Sequence, residues 1–536
     1  MLQLSILATA VMLLATYFYN RLWHIRFKQY AHFPQLPPSL LLGHLKAFDD
    51  ITKKGGPPDR HPDKIFAEMS DSIGSPPLML VDLRPVNQPM VLVGTHDIAE
   101  QISRASDLLP TSAPKSPLGY MMPLIGTKSI VAAEGDDWKN LRKRFNPGFA
   151  PQHLKTLIPT MLEKLPTFVG NIEALAKSGE NFKLTALLMS LTFDIIGAVV
   201  MDVDLEAQSG KGELIQLYQK LLSCYDDDKA DLPWWIIPRI TMERHRLGKK
   251  IDELVREIVR RKHADQNKRS ILSLSLGDSE TLTPEIVATT SDQIKSFLFA
   301  GHDTISTTLA WALYELSRTP KAAAAVHEEL DNLFGPDSTP AEVSNRLMAS
   351  DGPEMIRRMT YISAVIKETL RLHAPAGTSR TSKPGTGLVV RTAAGEEYCL
   401  DGLFIYNCAP RIHRDRSVYG DTADDFIPER WLHADDSNGK SHSLPAGAWR
   451  PFERGPRNCI GQEFALIEAR IVIATVARRY KFVKVGLGEI HLDHMGQPVL
   501  QANGQYKTNS KVYQTRQITA KPVDGMQMRV EIRSEN

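Results

Sequence analysis

The chain has 536 residues, 42% of them hydrophobic and 24% charged, and its 64 Lys and Arg nearly cancel its 62 Asp and Glu to leave a net charge of +2. So balanced a chain has no nucleic-acid-binding signature. Its four cysteines, Cys224, Cys399, Cys408 and Cys459, show no CxxC or other zinc spacing, so the first three read as buried small hydrophobes in a reducing compartment.

In chain order, Leu2 to Tyr19 is apolar but for Gln3, Ser5, Thr9 and Thr16. At about 1.5 Å per residue this run is just long enough to cross a bilayer core. Arg21, Arg26 and Lys28 follow it and no Lys or Arg precedes it, so the positive-inside rule keeps the rest of the chain cytosolic, with the endoplasmic reticulum as the expected single-pass address. Ala8-Thr9-Ala10 could mimic a signal cleavage site, but the apolar run continues past it. His32 to Pro38 is a stiff proline segment. These features divide the chain into an anchor and flank at 1–31, a hinge at 32–44 and one large domain at 45–536, which no low-complexity linker interrupts.

That domain reads as mainly α with small β-sheets, an α+β class. Strands are expected at Leu78 to Leu83, Met90 to Gly94, Gly387 to Arg391 and Met526 to Arg533, and polar loops at about 203–213, 262–283, 335–355 and 433–446. The apolar stretch Leu232 to Pro238, holding Trp234 and Trp235, lies between the acidic Asp226 to Asp228 and the basic run Arg239 to Lys250. Thr283 as N-cap and Pro284 at the first position open the clearest helix, which runs to about Ser317, before Thr319-Pro320. At about 50 Å it must cross the domain. Gly301 and Thr304 in its middle are a plausible place for a kink or π-bulge. A second helix is expected from Gln462 to Arg479, and Lys521 to Gly525 reads as a turn before the closing strand.

Chemistry concentrates in Phe452-Glu453-Arg454-Gly455-Pro456-Arg457-Asn458-Cys459-Ile460-Gly461, a F-x-x-G-x-R-x-C-x-G pattern that describes a thiolate-haem site. A sulfur that binds iron must be a thiolate. Gly455 and Gly461 let backbone N–H groups approach it, the positive end of the following helix faces it, and Phe452 shields it. With this motif, Trp138-Lys139-Asn140-Leu141-Arg142, Ala300-Gly301-His302-Asp303-Thr304, Glu368-Thr369-Leu370-Arg371 and Pro428-Glu429-Arg430-Trp431 follow the order of the cytochrome P-450 superfamily, which the chain resembles from position 138 to the C-terminus.

The resemblance implies the cytochrome P-450 fold, haem b (iron protoporphyrin IX) as cofactor and Cys459 as axial iron ligand. Arg142, Arg457 and Arg380 would answer the propionates, with Trp138 beside them. Ala300 and Gly301 would make room for dioxygen, and Asp303, linked to solvent, would feed protons through Thr304. His302, about 100° round the helix from Asp303, is read as structural. Glu368, Arg371 and Arg430 would form a buried charge network that fixes geometry.

No G-x-G-x-x-G after a strand and no P-loop occurs, so electrons are expected from a separate NADPH-dependent cytochrome reductase, with cytochrome b5 as a further donor. Lys139, Arg142, Lys143 and Arg144 could dock such an acidic partner or simply form a solvated face. By the same resemblance the substrate pocket draws on Leu108 to Ile130, Phe297, Ala300 and Ala376 to Ser379, largely apolar or small residues that suit a hydrophobic organic molecule, and Trp234 and Trp235 sit over its entrance at the lipid interface, with core packing as the alternative. The texture around Trp449 to Gly455 resembles fungal members of secondary metabolite biosynthesis. The expected function is oxygen insertion from O2; a haem-thiolate isomerase or dehydratase and a non-catalytic haem sensor or carrier are the rivals.

Overall fold

The computed structural model describes residues 2–226, 232, 234–264, 269–277, 281–432, 444–515 and 517–533. Of the sequence expectations, Asp227, Asp228, Pro233 and most of the 433–446 loop lie outside them. The described residues form nine strands: β1 Leu78–Val81, β2 Met90–Val93, β3 Phe182–Lys183, β4 Thr378–Thr381, β5 Val389–Arg391, β6 Glu397–Cys399, β7 Phe404–Asn407, β8 Tyr480–Lys484 and β9 Gln527–Ile532. The chain forms two compact units, one of residues 1–116, 377–418 and 445–457, the other of 117–376, 419–444 and 458–536.

The first unit is built on the sheet β1-β2-β7-β4, in which β2 and β7 run parallel and the other pairs antiparallel. Every residue of β1 and β2 is buried, which explains why both read as continuous apolar runs rather than alternating ones. A β5-β6 hairpin adds Val390 and Tyr398 to the core. The helix expected to end at Tyr19 continues to Phe27. It is long and apolar enough to cross a membrane by length and composition, and none of its apolar window is buried. Arg26, on the basic flank that follows the apolar run, is buried: Nη1 donates to Asp82 at 2.5 Å and Nη2 to the carbonyls of Leu41 and Arg84. Burial alone would raise the Asp82 carboxyl, but Arg84 and Arg26 hold it below its ordinary value. The proline segment packs against the domain, with Phe33 buried 5.2 Å from the Tyr398 ring and the Pro34 carbonyl accepting from Leu80 N.

The second unit is helical, with the small sheet β3-β9-β8 at one side. The central helix spans Pro284–Arg318, its N-cap Thr283 accepting from Ile286 N at 3.2 Å. Of the kink or π-bulge considered at Gly301 and Thr304, the π-bulge does not form: the backbone is α-helix there. The cysteine helix runs Gln462–Val476 and stops short of Arg479, because Arg478 turns to Asp331 at 2.5 Å and β8 begins at Tyr480.

Two expected loops contain helices. Ile271–Leu276 is capped by Ser270, and Pro340–Met348 opens with a capping box of Thr339 and Glu342, followed by Gly352–Arg358. Of the three cysteines expected to be buried, only Cys408 is; Cys224 is half-buried and Cys399 exposed.

Candidate active site

Cys459 lies exposed, two residues before Gly461, the N-cap of the cysteine helix. Helix geometry therefore sets the positive end of the dipole beside the sulfur. Arg142, expected at a propionate, fixes the preceding residue: Nη1 donates to the Asn458 carbonyl at 2.8 Å and Nη2 to Asn458 Oδ1 at 3.0 Å. Gly461 has an ordinary negative φ, so conformational freedom is not its purpose. A Cβ there would come within 3.9 Å of Cys459 Sγ and 4.0 Å of the Phe149 ring.

Phe149, which no sequence signal marked, meets Phe297 edge to face at 5.1 Å, and Phe145 meets Phe297 at 5.3 Å. Phe297 is thus held by two aromatic neighbours. It lies one turn before Ala300 on the central helix, so the aromatic cluster links the cysteine loop to the Ala300–Thr304 turn. Trp138, buried, and Arg142 share an open groove of ≈ 470 Å³ with Lys139, Lys143, Asn146 and Pro147. The basic face is smaller than expected. Arg144 turns inward, donating to the Ser275 carbonyl at 2.9 Å and Thr290 Oγ1 at 2.8 Å, while Lys143 is exposed and Lys139 pairs with Asp136.

On the central helix, Ala300 is exposed. Gly301 serves packing: a Cβ would meet the Ile196 side chain at 2.6 Å. The Thr304 hydroxyl donates to the Ala300 carbonyl at 2.7 Å, the local back-bond open to a helical threonine. Asp303, expected to be linked to solvent, is fully buried; Lys521 Nζ lies 2.6 Å from Oδ1 and Thr519 Oγ1 donates to Oδ2 at 2.6 Å. Burial would raise its pKa, yet the Lys521 ammonium and the Thr519 hydroxyl hold it below the carboxylate norm. His302 is buried edge to face with Phe193 and Tyr218, and its Nδ1 is 2.6 Å from the Leu298 carbonyl. Burial pushes its pKa down, so it stays neutral, as its structural reading requires.

Glu368 and Arg371 form a fully buried bidentate pair at 2.9 and 2.8 Å. Arg430 Nε, Trp431 Nε1 and Ile427 N all donate to Glu368, at 3.0, 2.9 and 2.9 Å. Arg371 in turn donates to the carbonyls of Ala423 and Asp425. Trp431 is a member of this network that the sequence motif contained but that had no role assigned.

The remaining site candidates belong to the first unit. Phe452 packs edge to face on Trp449 at 6.0 Å, and Arg457 is buried. Gly455, at φ +76°, cannot take a side chain, since a Cβ would fall 2.0 Å from the Ser103 carbonyl oxygen. Arg380, on β4, is buried and donates weakly to Ser112 Oγ and the Ala113 carbonyl. Arg450 and Glu453 make a buried pair at 2.5 Å, and Asn407 donates to the second Glu453 oxygen at 2.8 Å. Burial opposes ionisation of Glu453, but Arg450 and then Arg380 keep it low.

An exposed cysteine sulfur at a helix N-terminus, an aromatic ring 4.0 Å from the glycine position beside it and an arginine fixing the loop suit an iron porphyrin with thiolate ligation. Comparison with known proteins agrees. The family model described as Cytochrome P450 matches residues 34–509. Cytochrome P450 monooxygenase acrF of Aspergillus aculeatus is 32% identical over 500 residues, covering 88% of this chain and 98% of that protein. A bifunctional cytochrome P450/NADPH--P450 reductase of Fusarium oxysporum is 31% identical over 231 residues, 42% of this chain and 20% of that protein. The crystal structure of the cytochrome P450DA heme domain shares the fold at a TM-score of 0.71 and 19% identity, covering 94% of this chain and 98% of that one. The chain therefore belongs to the cytochrome P450 family, the haem-binding monooxygenases.

Proposed function

We propose that this enzyme inserts one oxygen atom from O2 into a hydrophobic organic molecule of fungal secondary metabolism, drawing electrons from a separate NADPH-dependent reductase at the endoplasmic reticulum membrane. The observation that carries the reading is Cys459, exposed before a helix N-terminus and tied through Phe149 and Phe297 to the Ala300–Thr304 turn. Similarity to a monooxygenase over nearly the full chain supports oxygen insertion. A relative whose name joins a P450 to its reductase supports the electron source, and an exposed apolar helix supports the anchor.

Cys459 would hold the haem, and Trp138, Arg142, Arg457 and Arg380 would accompany it. When bound, the haem supplies dioxygen binding and reduction. The chain's own contributions are a small residue, Ala300, that leaves room beside the helix, a hydroxyl on Thr304 that can pass a proton by releasing the Ala300 carbonyl, and Asp303 as the proton source behind it.

The test is the reduced carbon monoxide difference spectrum of Cys459→Ser, in which a hydroxyl cannot replace the thiolate. Loss of the long-wavelength Soret band is expected, and its persistence would sink the assignment. Thr304→Ala should divert reducing equivalents to hydrogen peroxide. An extract comparison by mass spectrometry, with and without the protein, should reveal a product one oxygen heavier; reductase-dependent oxygen consumption separates this reading from an isomerase or a haem carrier.

A further inference from the structure

Lys295 on the central helix is buried, and its ammonium lies between two carboxylates, 3.2 Å from Asp292 Oδ1 and 3.5 Å from Asp252 Oδ1. Each carboxylate holds a different neighbour of that helix. Asp252 belongs to the helix Pro238–Ala264; its Oδ1 also accepts from Ser291 Oγ at 2.7 Å, and its Oδ2 from Arg256 Nε at 2.6 Å. Asp292 faces the segment 126–130. Its Oδ2 accepts from Lys128 N at 2.9 Å, and a Cβ on Gly126 would fall 2.2 Å from the Asp292 carboxyl group. Gln293 closes the same joint, its Oε1 accepting from Ile130 N at 2.7 Å and its Nε2 donating to the Lys128 carbonyl at 2.6 Å. The two neighbours also meet directly, since a Cβ on Gly248 would come within 2.6 Å of the carbonyl oxygen of Pro123, just before that segment.

Within this cluster Arg256 and Lys295 balance Asp252 and Asp292, and the helix and the segment together keep water from the ammonium, whose side chain is 7% exposed. Withdrawal of either one admits water and weakens the attachment of the other, because ion pairs and hydrogen bonds in one buried network support each other. Resting on the monooxygenase reading, which places the segment at the substrate pocket, we propose that Lys295 is a positioning residue that pins the segment 126–130 and the helix Pro238–Ala264 to the central helix as one lid. The two walls open together, and the Lys295 ion pairs set how fast a substrate enters and leaves. Trp234 and Trp235, over the entrance on the same reading, immediately precede that helix.

Amide hydrogen exchange of the haem-loaded protein tests the pin. Asp252→Asn alters only the helix, yet it should speed exchange of the Lys128 and Ile130 amides as well. Adding Asp252→Asn to Lys295→Met should change these two amides no further, since the bridging ammonium is already gone. Exchange that rises in the helix alone overturns the pin, as does an effect of Asp252→Asn that persists undiminished without Lys295. Stopped-flow binding of 4-phenylimidazole, read by its Soret shift, tests the gate. In Lys295→Met the association and dissociation rates should rise together, on the order of tenfold, with Kd almost unchanged. Wild-type rates, or a change in Kd at an unchanged association rate, overturn the gate. A wild-type protein lacking the long-wavelength carbon monoxide band would instead fail the monooxygenase reading, and the exchange result would still judge the pin.

Discussion

Two buried carboxylates in the second unit are neutralised in opposite styles. Glu368 receives five donors, from Arg371, Arg430, Trp431 and a backbone N–H, and its main cation is itself tied to two carbonyls. Asp303 receives one ammonium and one hydroxyl. A guanidinium fork held on both sides cannot move without stranding several groups, whereas an ammonium on a flexible stem can exchange partners at the cost of one. The first arrangement is rigid and the second exchangeable. A third carboxylate, Glu468 on the cysteine helix, is fully buried with no donor to either oxygen among the described residues. Burial pushes its pKa well up, so it is neutral where the other two are charged.

The comparison breaks most visibly at Arg371. Arg371→Met leaves Glu368 with only part of its compensation and strands the carbonyls of Ala423 and Asp425, at a cost of about 3–5 kcal/mol. Little haem-loaded protein should be recovered, and the urea midpoint of what remains should fall; a midpoint like that of the wild type would refute a scaffold role.

Asp303→Asn should cost less, about 1–3 kcal/mol, because the amide oxygen can still accept from Lys521 while its NH2 donates to the Thr519 hydroxyl. Its larger consequence is slower turnover with more peroxide per electron. If Asp303→Asn destabilises as much as Arg371→Met, the two sites do not differ in kind.

Glu468 should behave in the reverse sense. Its folded pKa lies above the unfolded value of about 4.3, so the folded state keeps the proton longer and stability is lost as pH rises past that value. Glu468→Met should therefore stabilise the protein by about 1–3 kcal/mol at neutral pH and by less at pH 5. Equal gains at both values would mean that the carboxyl does not titrate with folding.

These contrasts mark what sequence could show. Glu368 and Arg371 are three residues apart on one helix, so their pairing follows from helical spacing. The cysteine loop was legible for the same reason, since its fixed positions lie within ten residues of chain. Thr519 and Asp303 are 216 positions apart, and no periodicity links them, so Lys521 reads as a turn residue. Arg144 looks like its exposed neighbours until the short helix Ile271–Leu276 supplies a carbonyl for it. Phe149 follows Pro147 and Gly148 and reads as a turn, although it sits beside the cysteine. Strands β4, β6 and β7 escaped notice because three or four residues of mixed polarity carry no clear alternation.

The smallest expected effect on stability comes with a distinct effect on location. Trp234 and Trp235 are 69% and 66% exposed, Ile236 is 46% and Met242 71%, so core packing does not explain this stretch. Arg239 follows at once at the start of the helix Pro238–Ala264, and exposed tryptophans beside a cation fit the headgroup level of a bilayer. The buried Arg26–Asp82 pair sets where the anchor can be cut: removing residues 1–24 keeps Arg26, whereas removing 1–31 takes it away and leaves Asp82 to Arg84 alone. The shorter truncation should still bind liposomes weakly, and Trp234→Ser with Trp235→Ser in that background should release it with a melting temperature little changed, because exposed side chains contribute little to folding. A truncated protein that stays wholly soluble in flotation with both tryptophans in place would remove this second membrane contact.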